Sequence, residues 1–322
     1  MSKNILKTIQ KESVTKITSL RNKMDITFDI DAPFDKNICV FVCGSLGRME
    51  LTSRSDLDLF FIVMDDENYK ERPCSNTDTY NFFAKMYTIN CDQGFSPPSN
   101  GGYYWEFISQ HKLKNVGSRE EDFTNGFTAR MLLLLESKPI FNEPAYDILV
   151  NDILNKYFTD YDNHNRDFSP QYLMNDILRY WYTLTLNYEY RRDSNDDNNK
   201  KYWKRLKLKF ARKLTCFSMI ACLYKPCITQ NDVASFVKMT PFERLEHVES
   251  FVPGVDKIVD DIKKEYEWFL KLRNEEATWW NIKKNKEKAF SHADSFHNLL
   301  IHDFMKKVEQ TNKDLKEKTD IY

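Results

Sequence analysis

The sequence predicts an α+β protein in which a small sheet with helices is followed by an all-helical domain. Two apolar runs, Ile38–Val42 and Leu59–Val63, are separated by a glycine turn and a short polar stretch. This is the pattern of two successive strands. Seven of the eight glycines lie between Gly44 and Gly126. The remainder of the chain has long apolar patterns with helical spacing, which indicates helices.

Composition limits the class of protein without naming a partner. The 322 residues allow two domains of ordinary size, and 47 basic against 48 acidic residues leave a net charge of −1. Seven cysteines form no CxxC pair, which is typical of a reducing cytoplasm and argues against a structural zinc site. Apolar runs are too short for a membrane span, and the N-terminus is too polar for a secretory signal. We therefore expect a soluble, cytoplasmic protein without membrane insertion.

Three parts are expected along the chain. They are a core with an N-terminal helix at 1–122, a helical domain at 123–309, and a charged, mobile C-terminal tail at 310–322. An aromatic-rich strand is predicted at 103–108, and a solvated linker at 193–199. Apolar periodicity and breakers predict helices at 3–23, 79–90, 125–137, 145–158, 170–192, 201–224, 230–239, 241–249 and 255–273. The last stretch, from 293 to 318, ends in a highly charged segment.

Two aspartates stand where the second strand begins. Asp56 and Asp58 are two residues apart, so on a strand they point to the same side of the sheet. Neighbouring carboxylates repel each other unless a cation lies between them, and oxygen ligands favour Mg²⁺. Gly44 and Ser45, one strand away, offer backbone that can approach phosphate oxygens closely. The alternative is a polar strand entrance whose aspartates only cap turns.

The stretch GSLGRMELTSRSDLD, residues 44–58, resembles the signature of the nucleotidyltransferase superfamily that includes DNA polymerase β. That signature is Gly-Ser, a spacer, and Asp-x-Asp on the next strand. Arg48 and Glu50 in the spacer are similar to the branch typified by the bacterial PII uridylyltransferase. The resemblance implies an enzyme of the EC 2.7.7 type that uses two Mg²⁺ ions and a nucleoside or deoxynucleoside triphosphate. It also implies that Asp56 and Asp58 are catalytic metal ligands.

The same resemblance assigns further residues. Gly44 and Ser45 would orient the triphosphate, while Arg48 and Glu50 would brace the turn through an ion pair; Arg48 is also a candidate phosphate ligand. A third catalytic and metal-binding carboxylate is expected on a neighbouring strand. Glu106 is the first choice and Asp92 the alternative, and an exposed glutamate on an edge strand remains the other reading of Glu106.

Lysines in the helical domain are candidates for phosphate binding. In this superfamily, cations on a helix of the following domain usually contact the triphosphate. Lys209 and Lys213 are spaced i, i+4 and would share one helical face, where they could bind the β- and γ-phosphates. A solvated basic face is the alternative reading of the same residues.

The acceptor is the least specified feature. A core followed by a helical domain is similar to the small nucleotidyltransferases of bacterial defence and toxin–antitoxin loci. These include the Hailong anti-phage type, which makes oligomers without a template and starts them on its own C-terminal tail. That resemblance implies a primer hydroxyl at Tyr322, or at Thr319, and a toxin or membrane effector as partner. The alternative is transfer of AMP or UMP to a protein, an RNA end or a small molecule.

Overall fold

The structure is a computed structural model of the chain. It describes residues 5–32, 34–52, 55–64, 75–102, 105–164, 168–190, 198–274 and 285–319. The chain divides into two compact units, Met1–Lys156 and Tyr157–Tyr322. Within the described ranges, no helix combines the length and the apolar character that a membrane crossing requires.

A four-stranded mixed sheet forms the centre of the first unit. Its strands are β1 (Ile38–Val42), β2 (Leu59–Val63), β3 (Phe107–Ser109) and β4 (Lys138–Phe141), in the order β3-β2-β1-β4. β1 is antiparallel to β2 and to β4, whereas β2 and β3 are parallel. The predicted bounds of β1 and β2 are confirmed, because both runs are apolar throughout and are buried on the sheet.

Helices cover both faces of this sheet. They are α1 (Ile5–Thr27), α2 (Gly44–Gly47), α3 (Asn76–Asp92), α4 (Gln110–Lys114), α5 (Glu120–Phe123), α6 (Gly126–Glu136) and α7 (Glu143–Tyr157). Residues from α1 and α3 join the odd-numbered residues of β2 in one apolar cluster, in which Phe61 and Phe82 meet at 5.8 Å between ring centroids. On the opposite face, Phe41 contacts Tyr146 of α7. Burial on both faces explains why the strands lack polar alternation.

Two expectations about this unit were wrong. Lys138-Pro139 was expected only to end a helix, but these residues begin β4, which pairs with β1. β4 is an edge strand, and an edge strand tolerates proline because its outer backbone needs no ladder partner. Of the described residues in the strand expected at 103–108, Phe107 and Ile108 form β3 with Ser109, and Glu106 precedes the strand. The compact unit that contains the sheet extends to Lys156.

The second unit contains helices and no strand among its described residues. Its helices are α8 (Tyr161–His164), α9 (Gln171–Tyr190), α10 (Asn198–Lys207), α11 (Lys213–Leu223), α12 (Gln230–Lys238), α13 (Pro241–Val248), α14 (Asp256–Asn274), α15 (Lys286–His297), α16 (Lys306–Val308) and α17 (Lys313–Thr319). π-helical segments join α10 to α11 (Leu208–Arg212) and α15 to α16 (Asn298–Met305). Phe210 stacks on Phe269 at 4.7 Å in the core of this unit. The predicted linker at 193–199 falls mostly outside the described residues.

The charged end of the sequence differs from the mobile tail that was expected. Lys313–Thr319 forms α17, which packs on α9. Leu315 anchors this helix, because its side chain is fully buried. A segment with one leucine among charged residues has too weak an amphipathic pattern to predict from the sequence that it packs on another helix.

Candidate active site

The turn after β1 is held by the strand beside it. Val42 pairs with Leu59, and the ladder continues one residue further because the Cys43 N–H donates to the Asp58 carbonyl at 2.9 Å. Gly44 then turns the chain with φ +66°, a conformation that residues with a Cβ rarely adopt. The sheet register therefore sets the Gly-Ser turn directly opposite Asp58.

Asp58 and Gly44 are in close contact. A Cβ placed on Gly44 would lie 2.3 Å from Asp58 Oδ2, so only glycine leaves room for this carboxylate. The sequence predicted that the glycine turn and the Asp-x-Asp residues would be neighbours. The structure adds the reason that position 44 is glycine, which is steric as well as conformational.

The two aspartates lie just before β2 in extended chain. Leu57 is buried while Asp56 and Asp58 are exposed, and Leu57 joins the same apolar cluster as Leu59. This alternation has the period of a strand, so the two carboxylates share the face opposite the cluster. Just before Asp56, Ser55 Oγ accepts a hydrogen bond from the Thr52 N–H at 3.0 Å.

A buried ionic network braces the turn. Arg48 Nε lies 3.1 Å from Glu50 Oε2, as the predicted ion pair required. Arg48 Nη1 also contacts Glu136 Oε2 at 2.5 Å, and all three side chains are less than a tenth exposed. Glu136 was not among the predicted residues. Its only sequence signal is an acid that directly follows four consecutive leucines at the end of a largely apolar helix.

The network sits where two elements meet the turn. A Cβ on Gly47 would lie 2.0 Å from the backbone oxygen of Glu136, so the turn packs directly against the end of α6. On its other side, Ser13 of α1 accepts a hydrogen bond from the Leu51 N–H at 3.0 Å. Buried charges are stable only with partners, so these contacts restrict the turn to one position.

Glu106 lies at the same sheet edge as the aspartates. It directly precedes β3, and the parallel register pairs Phe107 with Phe61. Parallel strands begin at the same edge, so Glu106 is near the level at which Asp58 enters β2, and it is exposed. Asp92, the alternative, ends helix α3 and pairs with Lys23 at 3.3 Å. The position in the sheet favours Glu106 over Asp92 as a third carboxylate.

The donor set at this edge suits Mg²⁺. Among the described residues, no three His, Cys, Asp or Glu side chains come close enough to hold a metal ion together. Mg²⁺ does not need such a cluster, because proteins commonly bind it through one or two carboxylates together with substrate phosphates. Asp56 and Asp58 supply the two carboxylates, and the bare Cα of Gly44 leaves the space beside Asp58 that a phosphate oxygen would need.

Lys209 and Lys213 belong to the second unit and contact α15. Lys209 Nζ pairs with Asp294 Oδ1 at 2.6 Å, and Lys213 Nζ lies 2.7 Å from His297 Nδ1. Burial, followed by the nearby charge of Lys209, lowers the pKa of Lys213 to about 8. Burial and then Lys213 lower the pKa of His297. The two lysines therefore share a face, as their spacing predicted, and that face is turned toward α15.

The expected primer is not described by the structure. Tyr322 lies outside the described residues, and Thr319 is the last residue of α17. Its role as a primer stays a prediction.

Comparison with known proteins gives one match, to the first part of the chain. Residues 3–93 match the family model described as "Putative nucleotidyltransferase DUF294". The match contains α1, the glycine turn, Asp56, Asp58 and α3. No curated protein matches the chain, and no solved structure matches it.

Proposed function

We propose that this chain, which carries a nucleotidyltransferase family domain at residues 3–93, is a Mg²⁺-dependent nucleotidyltransferase. It would move a nucleoside monophosphate from a nucleoside or deoxynucleoside triphosphate to a hydroxyl. One observation carries the proposal: the Asp58 carboxylate lies against the bare Cα of Gly44. A glycine turn and an acidic pair thereby form one surface, which suits a triphosphate and its cation.

Each residue has a defined task in this reaction. Asp56, Asp58 and Glu106 would hold two Mg²⁺ ions, and Gly44 and Ser45 would orient the β- and γ-phosphates. The acceptor hydroxyl would release its proton to solvent, and its oxygen would form a bond to the α-phosphorus. The bond between the α-phosphorus and the oxygen bridging to the β-phosphate would break, so pyrophosphate leaves. Bound Mg²⁺ supplies the charge neutralisation and the activated hydroxyl that two-metal transfer uses.

Other residues position the reacting groups. Arg48, Glu50 and Glu136 keep the turn in place, so its backbone needs no rearrangement when the triphosphate binds. Lys209 and Lys213 are proposed as phosphate ligands of the triphosphate. For Lys209 this requires that phosphate replace Asp294 as its partner.

We further propose that the reaction is template-independent synthesis of short oligomers in bacterial anti-phage defence. The product would act on a toxin or membrane effector, and the protein would work in the cytoplasm, in keeping with cysteines that form no CxxC pair. Tyr322 remains the proposed primer, with Thr319 as the alternative. Because residues 313–319 form α17, the primer would be carried on a shorter free segment than a mobile tail from residue 310 would provide. The competing function is AMP or UMP transfer to a protein, an RNA end or a small molecule, as in a toxin–antitoxin pair.

Labelled nucleotides separate these functions. The purified protein is incubated with Mg²⁺ and each labelled NTP or dNTP, and the products are resolved on a denaturing gel. A ladder of labelled products supports oligomer synthesis. A label that stays on the protein band and is not extended supports nucleotidylation. Failure to transfer label from any nucleotide, with or without added RNA and protein acceptors, would contradict the proposed function.

The aspartate pair provides the direct test of the site. The double variant Asp56→Ala, Asp58→Ala should lose transfer completely, because neither Mg²⁺ ion keeps its main ligands. Without metal, the midpoint temperature of its thermal unfolding should be unchanged or slightly higher, because two neighbouring like charges are removed. Thermal denaturation and the labelled-nucleotide assay measure both properties. Retention of near wild-type transfer by the double variant would refute the site.

A further inference from the structure

Helix α10 concentrates positive charge on one short element. Its ten residues, NNKKYWKRLK, include five lysines or arginines and no acid. Trp203 and Leu206 are buried, so the apolar side of the helix is used for packing. Arg205 and Lys207 are exposed, and Lys201 is half-buried. The remaining side is therefore a cationic surface of the second unit.

Aromatic rings hold two cations of this surface in place. The Arg205 guanidinium lies 4.6 Å from the centre of the Phe290 ring on α15. Lys286 Nζ lies 4.4 Å from the centre of the Tyr202 ring and donates to its hydroxyl at 2.8 Å. The rings of Tyr202 and Phe290 are themselves 6.2 Å apart. We call these residues, with Lys201, the basic–aromatic face.

The charge of this face is positioned but not neutralised. A ring attracts a cation through its quadrupole and leaves the positive charge intact. Within the described part of the chain, neither Arg205 nor Lys286 forms a salt bridge, in contrast to Lys209 and its partner Asp294. A polyanion could therefore bind Arg205 and Lys286 without first displacing a carboxylate.

We propose that the basic–aromatic face binds single-stranded oligonucleotide, and that the acceptor of the proposed reaction is an oligonucleotide end. This inference rests on the proposed function and specifies its substrate class. Single strands are bound by cations that follow the phosphates and by planar groups on which bases stack. The face offers both, through Lys201, Arg205 and Lys286 and through its guanidinium and ring planes.

The composition of the face disfavours other polyanions. An acidic peptide would use the cations but would bring no planar bases to stack on the guanidinium and ring planes. A lipid surface would require apolar side chains to insert, yet among the described residues no large exposed hydrophobic side chain lies on α10 or α15. Charge complementarity with stacking therefore points to nucleic acid.

Binding of fluorescein-labelled oligothymidylate and oligouridylate to the full chain tests this proposal by fluorescence anisotropy. The variant Lys201→Gln, Arg205→Gln removes two phosphate contacts, so the slope of log affinity against log salt should become shallower by about 1.4. At about 0.1 M salt the affinity should fall about twentyfold. A matched control, Lys257→Gln, Lys306→Gln, removes two exposed lysines elsewhere in the same unit and should bind like the wild type.

Equal affinity and salt slope in wild type and face variant would overturn the proposal. It would also be overturned if polyglutamate or vesicles rich in anionic lipid bound to the face while both oligonucleotides did not. The variant Asp56→Ala, Asp58→Ala separates this inference from the proposed function, because it should bind oligonucleotide normally while transferring no nucleotide. If the wild type binds oligonucleotide but never transfers label, the enzymatic function is contradicted, while binding by the basic–aromatic face is supported. If the wild type transfers nucleotide to an oligonucleotide and the variant Lys201→Gln, Arg205→Gln has the same KM for that oligonucleotide, the basic–aromatic face is not the binding site. The proposed enzymatic function would still stand.

Discussion

The contact between Gly44 and Asp58 shows how one side-chain oxygen restricts the residue opposite it. A positive φ at position 44 already favours glycine, and the Asp58 carboxylate removes the space for any Cβ. The two requirements are separable, because Gly94 has a similar φ of +72° and no atom within 4 Å of a Cβ placed there.

Replacement of Gly44 by alanine should therefore reduce activity far more than the accompanying loss of folding free energy explains. Both Gly44→Ala and the control Gly94→Ala should lose about 1–2 kcal/mol of folding free energy through the left-handed backbone. Only Gly44→Ala displaces the Asp58 carboxylate, and a displacement of about 1 Å can reduce turnover about a hundredfold. Urea unfolding and the labelled-nucleotide assay provide the two measurements. Equal loss of turnover in both variants would show that the contact between Gly44 and Asp58 does not contribute to catalysis.

Glu136 allows a similar comparison within the ionic network. Glu136→Gln weakens the contact with Arg48 and should cost about 1–3 kcal/mol of folding free energy. The control Glu121→Gln weakens a second buried ion pair of the same unit, with Arg130 at 2.7 Å, and should cost a similar amount. The KM for the nucleotide should rise only for Glu136→Gln, because Arg48 belongs to the turn and Arg130 does not. A KM that rises equally in both variants would assign Glu136 a purely structural role.

At the scale of elements, the π-helical segment before α11 lies beside an unusual lysine. The segment ends at Arg212, and Lys213 follows it with its Nζ against His297 and 5.7 Å from the centre of the Trp181 ring. π-helical turns are rare and often occur at functional positions. An uninterrupted helix was predicted at 201–224, because single-sequence periodicity does not reveal one inserted residue.

The lowered pKa of Lys213 predicts how stability depends on pH. The pKa is about 8 in the folded chain and about 10.5 normally, so the folded state disfavours the charged amine. The resulting destabilisation is fully present below pH 8 and disappears as pH rises toward 10.5. Lys213→Met removes this group, so the difference in unfolding free energy, variant minus wild type, should decrease between pH 8 and pH 10.5.

Urea denaturation across that pH range measures the difference. Lys225→Met is the control, because it removes another lysine of the same unit, one that forms a salt bridge with Asp232. A constant difference for Lys213→Met would contradict the assigned pKa.

At the scale of the molecule, each unit has a core of its own. Phe61 is fully buried among the aromatic residues of the first unit, and Phe210 is fully buried on Phe269 in the second. Chains with two cores often unfold in more than one step.

Calorimetry of core variants should therefore resolve two transitions. Phe61→Ala and Phe210→Ala should each destabilise one unit by about 3–5 kcal/mol through a buried cavity. Each variant should lower the midpoint of a different transition and leave the other nearly unchanged. A single transition that both variants lower equally would show that the units unfold as one cooperative body.

The sequence by itself determined the local part of this protein: β1 and β2 with their bounds, the glycine turn, the side shared by Asp56 and Asp58, and most helices. These follow from short-range periodicity and turn chemistry, which depend on residues a few positions apart. Tertiary structure alone decided what depends on distant residues. Glu136 reaches Arg48 across 88 positions, and β4 is a strand only because β1 lies beside it. Likewise, α17 packs on α9 and has one fully buried leucine, Leu315. Such contacts are set by packing between separate elements, and no local pattern encodes them.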